Sequence, residues 1–379
     1  MSSRQSVLTA LRDAGGFISG EALASKLGIT RAAVWKHVEV LKGQGYGIEG
    51  ARAKGYRLLA PPEQLRAETI ASLMSGGRFS GRLTVLDVTR STNSDVLAIA
   101  REGAPEGTVV IAEQQTAGRG RLGRTWESAR GLNLYMSVLL RPPIVPADAP
   151  QLALVAGVAV AETVREEGLS CGIKWPNDVV VMDAAHGAHA MSGESGGTDH
   201  PGPQSSRELS DSPQARPPLR KLADSPQARR PLRKLAGILT EIEAETERVS
   251  VIVAGIGVNL NSQAEHFSPE LAGKATSVRM ETGAVVDRAA FTARLLTRLQ
   301  QHYDSFLAGG FAAVAPRWRA LSVLEGRRVV VGGAGQETAG VCVGIDTDGA
   351  LLVQTEPGTV RRVLAGDVTV QGGYDGWQP

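Results

Sequence analysis

The stretch Gly118-Arg119-Gly120-Arg121-Leu122-Gly123-Arg124-Thr125-Trp126 carries the most legible chemistry in this 379-residue chain. Three arginines are set among three glycines. Guanidinium groups therefore converge on a backbone that can take positive φ and come close to a ligand, which makes an anion-gripping loop. On composition alone the same segment also suits a flexible turn or a nucleic-acid-binding tract. Its companions decide between these: Ser91-Thr92-Asn93 upstream, then Lys174-Trp175-Pro176-Asn177-Asp178, Lys234-Leu235-Ala236-Gly237-Ile238-Leu239 and Gly255-Ile256-Gly257-Val258-Asn259 downstream.

The elements that must position these motifs follow from the apolar pattern. Thr108 to Ala112 predicts a buried strand ahead of the loop and Leu132 to Leu140 another behind it, so the loop hangs at a strand end. Arg82 to Val88 predicts a strand, followed by a helix through Val96, Leu97 and Ala100 that Ser91 or Thr92 can cap. Ala149 to Glu167 predicts a helix with an Ala/Val/Leu face, closed by Gly168. Val179 to Val181, Ile238 to Ala244 and Val249 to Ala254 predict strands, with Asn177 and Asp178 at the mouth of the first. An Asx turn is the plain alternative for that polar pair. Asp287 caps a helix carrying Phe291, Leu295, Leu299 and Phe306 as core. Arg327 to Val331, Glu337 to Ile345, Ala350 to Thr355 and Thr359 to Leu364 predict the short strands of a small β unit.

The first sixty residues form a separate pattern. Val7, Leu8 and Leu11 mark one short helix; Ser19 caps a second through Leu23 and Leu27, ended by Gly28; Thr30 caps a third with Val34, Val38 and Leu41 inward. This is a helix-turn-helix arrangement. Arg31, Ala32, Trp35, Lys36 and Glu39 are left outward, and Tyr46 to Leu59 suits a β-hairpin wing bearing Arg52, Lys54 and Arg57. The segment holds nine Lys/Arg against four Asp/Glu in a chain whose net charge is only +2. Outward basic side chains on a groove-sized helix fit phosphate contact and base readout. A three-helix protein-docking module is the alternative. Pro61-Pro62 ends the unit, because neither proline can donate a backbone hydrogen bond.

The five ordered motifs resemble the signature of the biotin protein ligases, and residues 4 to about 371 resemble that family's bifunctional ligase and biotin-operon repressor type. The resemblance implies an α/β (α+β) chain of three units. These are a winged helix-turn-helix over 1–60, a class II synthetase-like mixed β-sheet with helices over 64–321, and an SH3-like β barrel over 322–372. It implies that biotin is activated with ATP to biotinyl-5'-AMP and then passed to a lysine of a biotin carboxyl carrier protein. Ser91, Thr92, Asn93 and Gln115 would hold the ureido ring, with Gly118, Arg119, Arg121, Lys234 and Gly237 completing the biotin site. Arg121 and Lys234 would be the catalytic cations, while Arg119, Arg124, Asn177, Asp178 and Asn259 would face the nucleotide. Asp178 either orients Mg²⁺ or positions the incoming amine, and both roles stay open. Leu122 and Trp126 would be lid contacts. Ala275-Thr276-Ser277-Val278 falls in a second lid, for which no aromatic is assigned although Phe267 is near. The resemblance to winged-helix repressors favours operator DNA, read by a homodimer that carries the adenylate.

From Asp183 to Arg233 the composition changes to seven prolines with many Ser, Gly and Gln, and an insertion of about 183–232 is expected to be disordered. Within it Asp211 to Ala223 is repeated at once as Asp224 to Ala236, differing only at Pro217 against Arg230. The copy offers two lysines, Lys221 and Lys234. Only Lys234 runs on into Gly237-Ile238-Leu239, so it is the one expected to act.

With 42% hydrophobic residues and a mean hydropathy of -0.08, a globular cytoplasmic protein is expected, with no membrane span and no signal peptide. Cys171 and Cys342 stand alone, without the spacing of a zinc site or disulfide framework. Two rival functions remain at this level. A lipoate or octanoate ligase shares the central fold, and a ligand-sensing transcription factor would lack catalysis.

Overall fold

A computed structural model describes residues 3–43, 46–52, 54–60, 64–182, 232–333, 336–355 and 358–370. Pro61-Pro62, Lys221 and the insertion from 183 to 231 lie outside the described residues.

The chain opens with helices α1 (Ser3–Asp13), α2 (Gly20–Leu27) and α3 (Arg31–Gly43), then the hairpin of β1 (Gly47–Ala51) and β2 (Gly55–Ala60). Ser19 accepts the Ala22 N–H, Gly28 ends α2 at φ 63°, and Thr30 Oγ1 accepts the Ala33 N–H at 3.1 Å. These satisfy the orphan groups at the helix ends. Val34, Val38 and Leu41 pack on Val7, Leu8, Leu11 and Leu23. That leaves Arg31, Trp35, Lys36 and Glu39 outward, as the spacing predicts.

The central unit contains α4 (Ala67–Leu73), β3 (Leu83–Thr89), α5 (Thr92–Arg101), β4 (Val109–Gln115), β5 (Leu134–Leu140), α6 (Gln151–Glu166), β6 (Cys171–Lys174) and β7 (Asp178–Met182). After the insertion come β8 (Leu232–Ala244), β9 (Val249–Val258), α7 (Val278–Thr282), α8 (Arg288–Gly309) and α9 (Ala315–Leu321). One mixed sheet runs in the order β3-β4-β5-β9-β8-β7-β6, parallel between β3 and β4 and antiparallel elsewhere. β8 starts at Leu232, so Leu232 and Arg233 are strand rather than insertion. Alternation along β9 divides the core. Val251 and Val253 pack under α5 with Val96 and Ala100, whereas Ile252 and Ala254 join the larger core beneath α6 and α8.

Pro146–Glu166 is long and apolar enough to cross a bilayer, but 83% of its most apolar window is buried inside the fold, as befits a core helix covering a sheet.

The C-terminal unit is an antiparallel sheet of β10 (Arg328–Gly333), β11 (Gln336–Ile345), β12 (Leu351–Gln354), β13 (Val360–Val363) and β14 (Asp367–Val370), ordered β13-β12-β11-β10-β14. β14 has no counterpart in the apolar pattern: four residues after a glycine are too few to show a period of two. The N-terminal unit docks on the start of α8, where Arg12 pairs with Asp287 at 3.3 Å. Beside it, the Leu65 N–H donates to Glu113 of β4, whose carboxylate also meets Arg288 at 2.7 Å with both side chains buried.

Candidate active site

A cleft of about 620 Å³ opens on the α5 face of the sheet, within the usual range for small-molecule sites. Its floor follows from the alternation on β9. Beyond Val251 and Val253 the same face carries Gly255 and Gly257, and the missing side chains leave a hollow past the N-terminus of α5. Across the ladder Gly257 faces Tyr135 and Gly237, and Gly255 faces Ser137 and Leu239. A Cβ on Gly255 would stand 2.1 Å from Asn93 Oδ1, and one on Gly257 2.6 Å from the Trp126 indole. Trp126 thus lies on the floor rather than on an outer lid.

At one end the polar motif is tied down. The Thr92 N–H and Oγ1 both donate to Gln115 Oε1, at 2.9 and 3.2 Å, and Gln115 Nε2 donates to Ser128 Oγ. Ser137 Oγ lies within hydrogen-bond distance of Thr92 Oγ1 and of Asn93 Oδ1. Ser91 occupies the N-cap position of α5 but makes no side-chain capping bond, contrary to the expectation of a cap there. Ser91 and Thr92 both line the cleft.

Of the three arginines, Arg119 stays beside this motif, donating to Ser94 Oγ at 3.2 Å, while Arg121 and Arg124 stand at the other end. Arg119 meets Glu241 at 2.7 Å, and the same Glu241 oxygen accepts from Asn93 Nδ2 at 2.7 Å. Arg121 donates to Asn177 Oδ1 and to the Gly366 carbonyl, and approaches Asp367 at 3.4 Å; Arg124 pairs with the second Asp367 oxygen at 2.5 Å. The loop closes on itself where Gly120 N–H donates to Arg124 O and Trp126 N–H to Gly118 O. Leu122 is held at φ 55° and 75% exposed, a rare conformation for leucine and one associated with functional strain.

Lys234 pairs with Asp178 at 2.7 Å and lies 5.5 Å from the Trp126 ring centroid. Lys174 completes this corner. Burial pushes its ammonium below the ordinary lysine range; Asp178 opposes that shift and Lys234 adds to it. Asn259 is buried, its amide donating to Thr276 O at 3.1 Å.

Ser91, Thr92, Asn93, Gln115, Arg119, Arg121, Arg124, Asn177, Asp178, Lys234, Gly237 and Asn259 all line the one cleft. Gly118 does not; it sits behind the loop, where a Cβ would meet Trp126 O at 2.5 Å. Sequence reasoning missed Glu241 and Asp367, and gave Lys174 only as part of its motif. Glu241 was within reach, since Gly237, Leu239 and Glu241 alternate onto one face of β8. Asp367 was not, because it comes from the unforeseen β14. Phe267, left unassigned, lines the cleft beside Leu271 and Lys274. In the N-terminal unit Arg31, Trp35 and Lys36 are exposed on α3, and Arg52 and Lys54 are exposed on the hairpin turn.

The architecture is that of a biotin/lipoate-ligase-like catalytic unit carried between a helix-turn-helix and a small β unit. Residues 85–193 match the biotin/lipoate A/B protein ligase family, 3–57 an HTH domain, and 326–370 the biotin protein ligase C-terminal domain. The chain is 32% identical over 367 residues to the bifunctional ligase/repressor BirA of Bacillus spizizenii, covering 96% of this chain and 98% of that one. It is 32% identical over 365 residues to BirA of Escherichia coli, covering 96% of each. The biotin protein ligase of Aquifex aeolicus, solved with biotin and ATP, superposes with a TM-score of 0.56 at 24% identity, over 77% of this chain and 99% of that one, and so shares the fold. The chain belongs to the BirA family of bifunctional biotin ligase/repressors.

Proposed function

We propose that this protein joins biotin to a lysine of a biotin carboxyl carrier protein through biotinyl-5'-AMP, and that it represses transcription in response to biotin. The observation that carries the ligase reading is the convergence of Arg121, Lys234 and the Ser91-Thr92-Asn93 motif on one cleft. Biotin-dependent exchange of pyrophosphate into ATP tests it. Lipoate in place of biotin should give none.

Biotin enters with its ureido ring against Ser91, Thr92, Asn93 and Gln115, a compact polar head met by fixed donors and acceptors. Its carboxylate reaches the Arg121 and Lys234 end. There it must meet the α-phosphate of ATP, and two unit charges at about 4 Å repel by several kcal/mol in a protein-like dielectric. Arg121 and Lys234 offset that repulsion. A carboxylate oxygen forms the new bond to the α-phosphorus while the bond to pyrophosphate breaks, and the two cations hold the charge that spreads over the transferring group. Arg124 serves the departing phosphates, which Arg119 reaches only by leaving Glu241 and Ser94 beside Asn93; Asn177, Asp178 and Asn259 border the nucleotide. In the second step the neutral amine of the carrier lysine attacks the acyl carbon and AMP leaves.

ATP arrives as its magnesium complex. Among the described residues no three His, Cys, Asp or Glu side chains are grouped to hold a metal. Mg²⁺ leans on phosphate oxygens and takes few protein carboxylates, and Asp178 is a carboxylate that lines the cleft. Asp178 would be the protein ligand, and the ion would neutralise phosphate charge.

DNA binding falls to α3 and the hairpin, through Arg31, Trp35, Lys36, Arg52 and Lys54. A two-fold operator calls for two recognition helices, so the repressing form is a homodimer carrying the adenylate. Sedimentation with and without biotin plus ATP tests this. The working units are taken as 1–60, 64–321 and 322–372, and a cytoplasmic location follows from a DNA target and a carrier-protein partner.

A further inference from the structure

The two segments that flank the cleft are tied to each other. Glu127 follows Trp126 at the end of the arginine loop, and its Oε2 accepts the Ser268 backbone N–H at 3.1 Å. Ser268 opens the 3-10 turn Pro269–Leu271, and Phe267, Leu271 and Lys274 around it line the cleft. At its far end the same segment is strapped to β8. The Lys234 N–H donates to Lys274 O at 2.7 Å, and the Thr276 N–H donates to Lys234 O at 2.9 Å. Residues 268–276 are therefore held on one side by the strand that bears the active lysine and on the other by the arginine loop.

We propose that Glu127 is a positioning residue that latches the 268–276 segment to the arginine loop, so that both close over the acyl-adenylate as one body. This rests on the ligase reading above. A carboxylate accepting a backbone N–H makes a charge-assisted bond, stronger than a neutral pair, and this one is partly buried. Ordering one segment then lowers the entropy cost of ordering the other. Without the latch either segment opens alone. The adenylate then dissociates, or water attacks its acyl carbon and returns biotin and AMP before a carrier lysine arrives.

Backbone geometry provides a clean test. Ser268 sits at φ -63° and ψ 158°, and Phe267 before it at φ -101° and ψ 140°, values that proline and a residue preceding proline adopt without strain. Ser268→Pro thus deletes only the donor and the hydroxyl, and Ser268→Ala deletes only the hydroxyl. In the full-length enzyme with biotin, ATP and Mg²⁺, the readouts are the release rate of preformed biotinyl-adenylate and the rate of the pyrophosphate burst. Glu127→Ala and Ser268→Pro should each speed release by about tenfold with little change in the burst, Ser268→Ala should match wild type, and Glu127→Gln should recover most of the loss through its amide oxygen. The double variant should be no worse than either single one, because both break the same bond. Release rates unchanged in both single variants, or effects that add in the double variant, overturn the latch. A wild-type enzyme that releases no pyrophosphate with biotin and ATP overturns the ligase reading instead.

Discussion

The Arg121 guanidinium lies 3.4 Å from the Asp367 carboxylate, across the junction between the central sheet and β14, while Arg124 holds the other oxygen of the same carboxylate. A protein anion thus occupies the cations proposed to meet ligand anions, and the C-terminal unit supplies it. Asp367→Asn should cost the ligand-free protein about 1 kcal/mol or less, since all three side chains are partly exposed. With biotin and ATP bound the arginines have other anions, so the saturated protein should lose less. The rise in Tm on adding both ligands should therefore be larger in the variant than in wild type. An equal or smaller rise would show that Asp367 keeps its arginines when the site is filled.

Arg121 and Lys234 are linked through consecutive residues, Arg121 to Asn177 and Lys234 to Asp178. Both cations are thereby aimed at one spot. Arg121→Ala and Lys234→Ala should each lower biotin-dependent pyrophosphate exchange by ~10²–10³. Lys221→Ala should leave it unchanged, because Lys221 is followed by Asp224-Ser225-Pro226 rather than by the glycine and apolar residues that extend β8. Equal losses at both lysines would reject the choice between the copies.

Gly255 makes room for Asn93. A methyl group there would stand 2.1 Å from Asn93 Oδ1, and the strand beneath cannot yield without breaking its pairing with β5 and β8. Gly255→Ala should therefore raise the KM for biotin by about tenfold or more, with a smaller effect on the KM for ATP. Gly81→Ala, which meets open space, serves as the control. Equal effects on both constants would place Asn93 outside the biotin end of the cleft.

How far the site could be read beforehand depended on the reach of each interaction. Local periodicity was enough for α3, because Val34, Val38 and Leu41 bury one stripe and the remaining side chains must face out. The strand through Gly237-Ile238-Leu239 was equally legible, and it begins at Leu232 and includes Lys234. The cap was only half legible. Ser91 takes the expected N-cap position without a capping bond, and the other candidate, Thr92, has its hydroxyl engaged by Gln115 and Ser137 from two other strands, which nothing local reports. Asp367 lay furthest out of reach. Its place beside Arg121 depends on how the small C-terminal sheet docks, and on a four-residue strand too short to announce itself.

Away from the cleft, Glu162 provides a pH signature. Burial alone would raise its carboxyl, but hydrogen bonds from Arg317 and His302 outweigh this and hold it below the ordinary carboxylate value. A depressed folded value contributes stability above the unfolded value of about 4.3, and that stability is lost as pH falls through the folded one. Glu162→Gln should therefore destabilise at neutral pH by ~1–3 kcal/mol, with the gap from wild type closing at acid pH. Urea unfolding at pH 7 and below pH 4 measures this. A gap that stays constant would mean that the carboxylate charge is not what these partners hold.

The N-terminal unit can be tested separately from the chemistry. Arg31 and Lys36 are exposed on α3, Lys36 on the face away from its buried stripe and Arg31 at its first turn, and Trp35 is 58% exposed. An exposed indole flanked by cations costs solubility unless something covers it, and a groove of DNA offers both phosphates and apolar base edges. Arg31→Ala and Lys36→Ala should each lower the salt slope of operator binding by about 1, as expected when one phosphate contact is lost. Trp35→Ala should weaken operator binding without changing that slope, because it removes contact area and no charge. None of the three side chains lines the cleft, so pyrophosphate exchange should remain at the wild-type rate in every case. Operator affinity indifferent to all three substitutions would leave α3 as a protein-docking helix and remove the physical basis for a repressor.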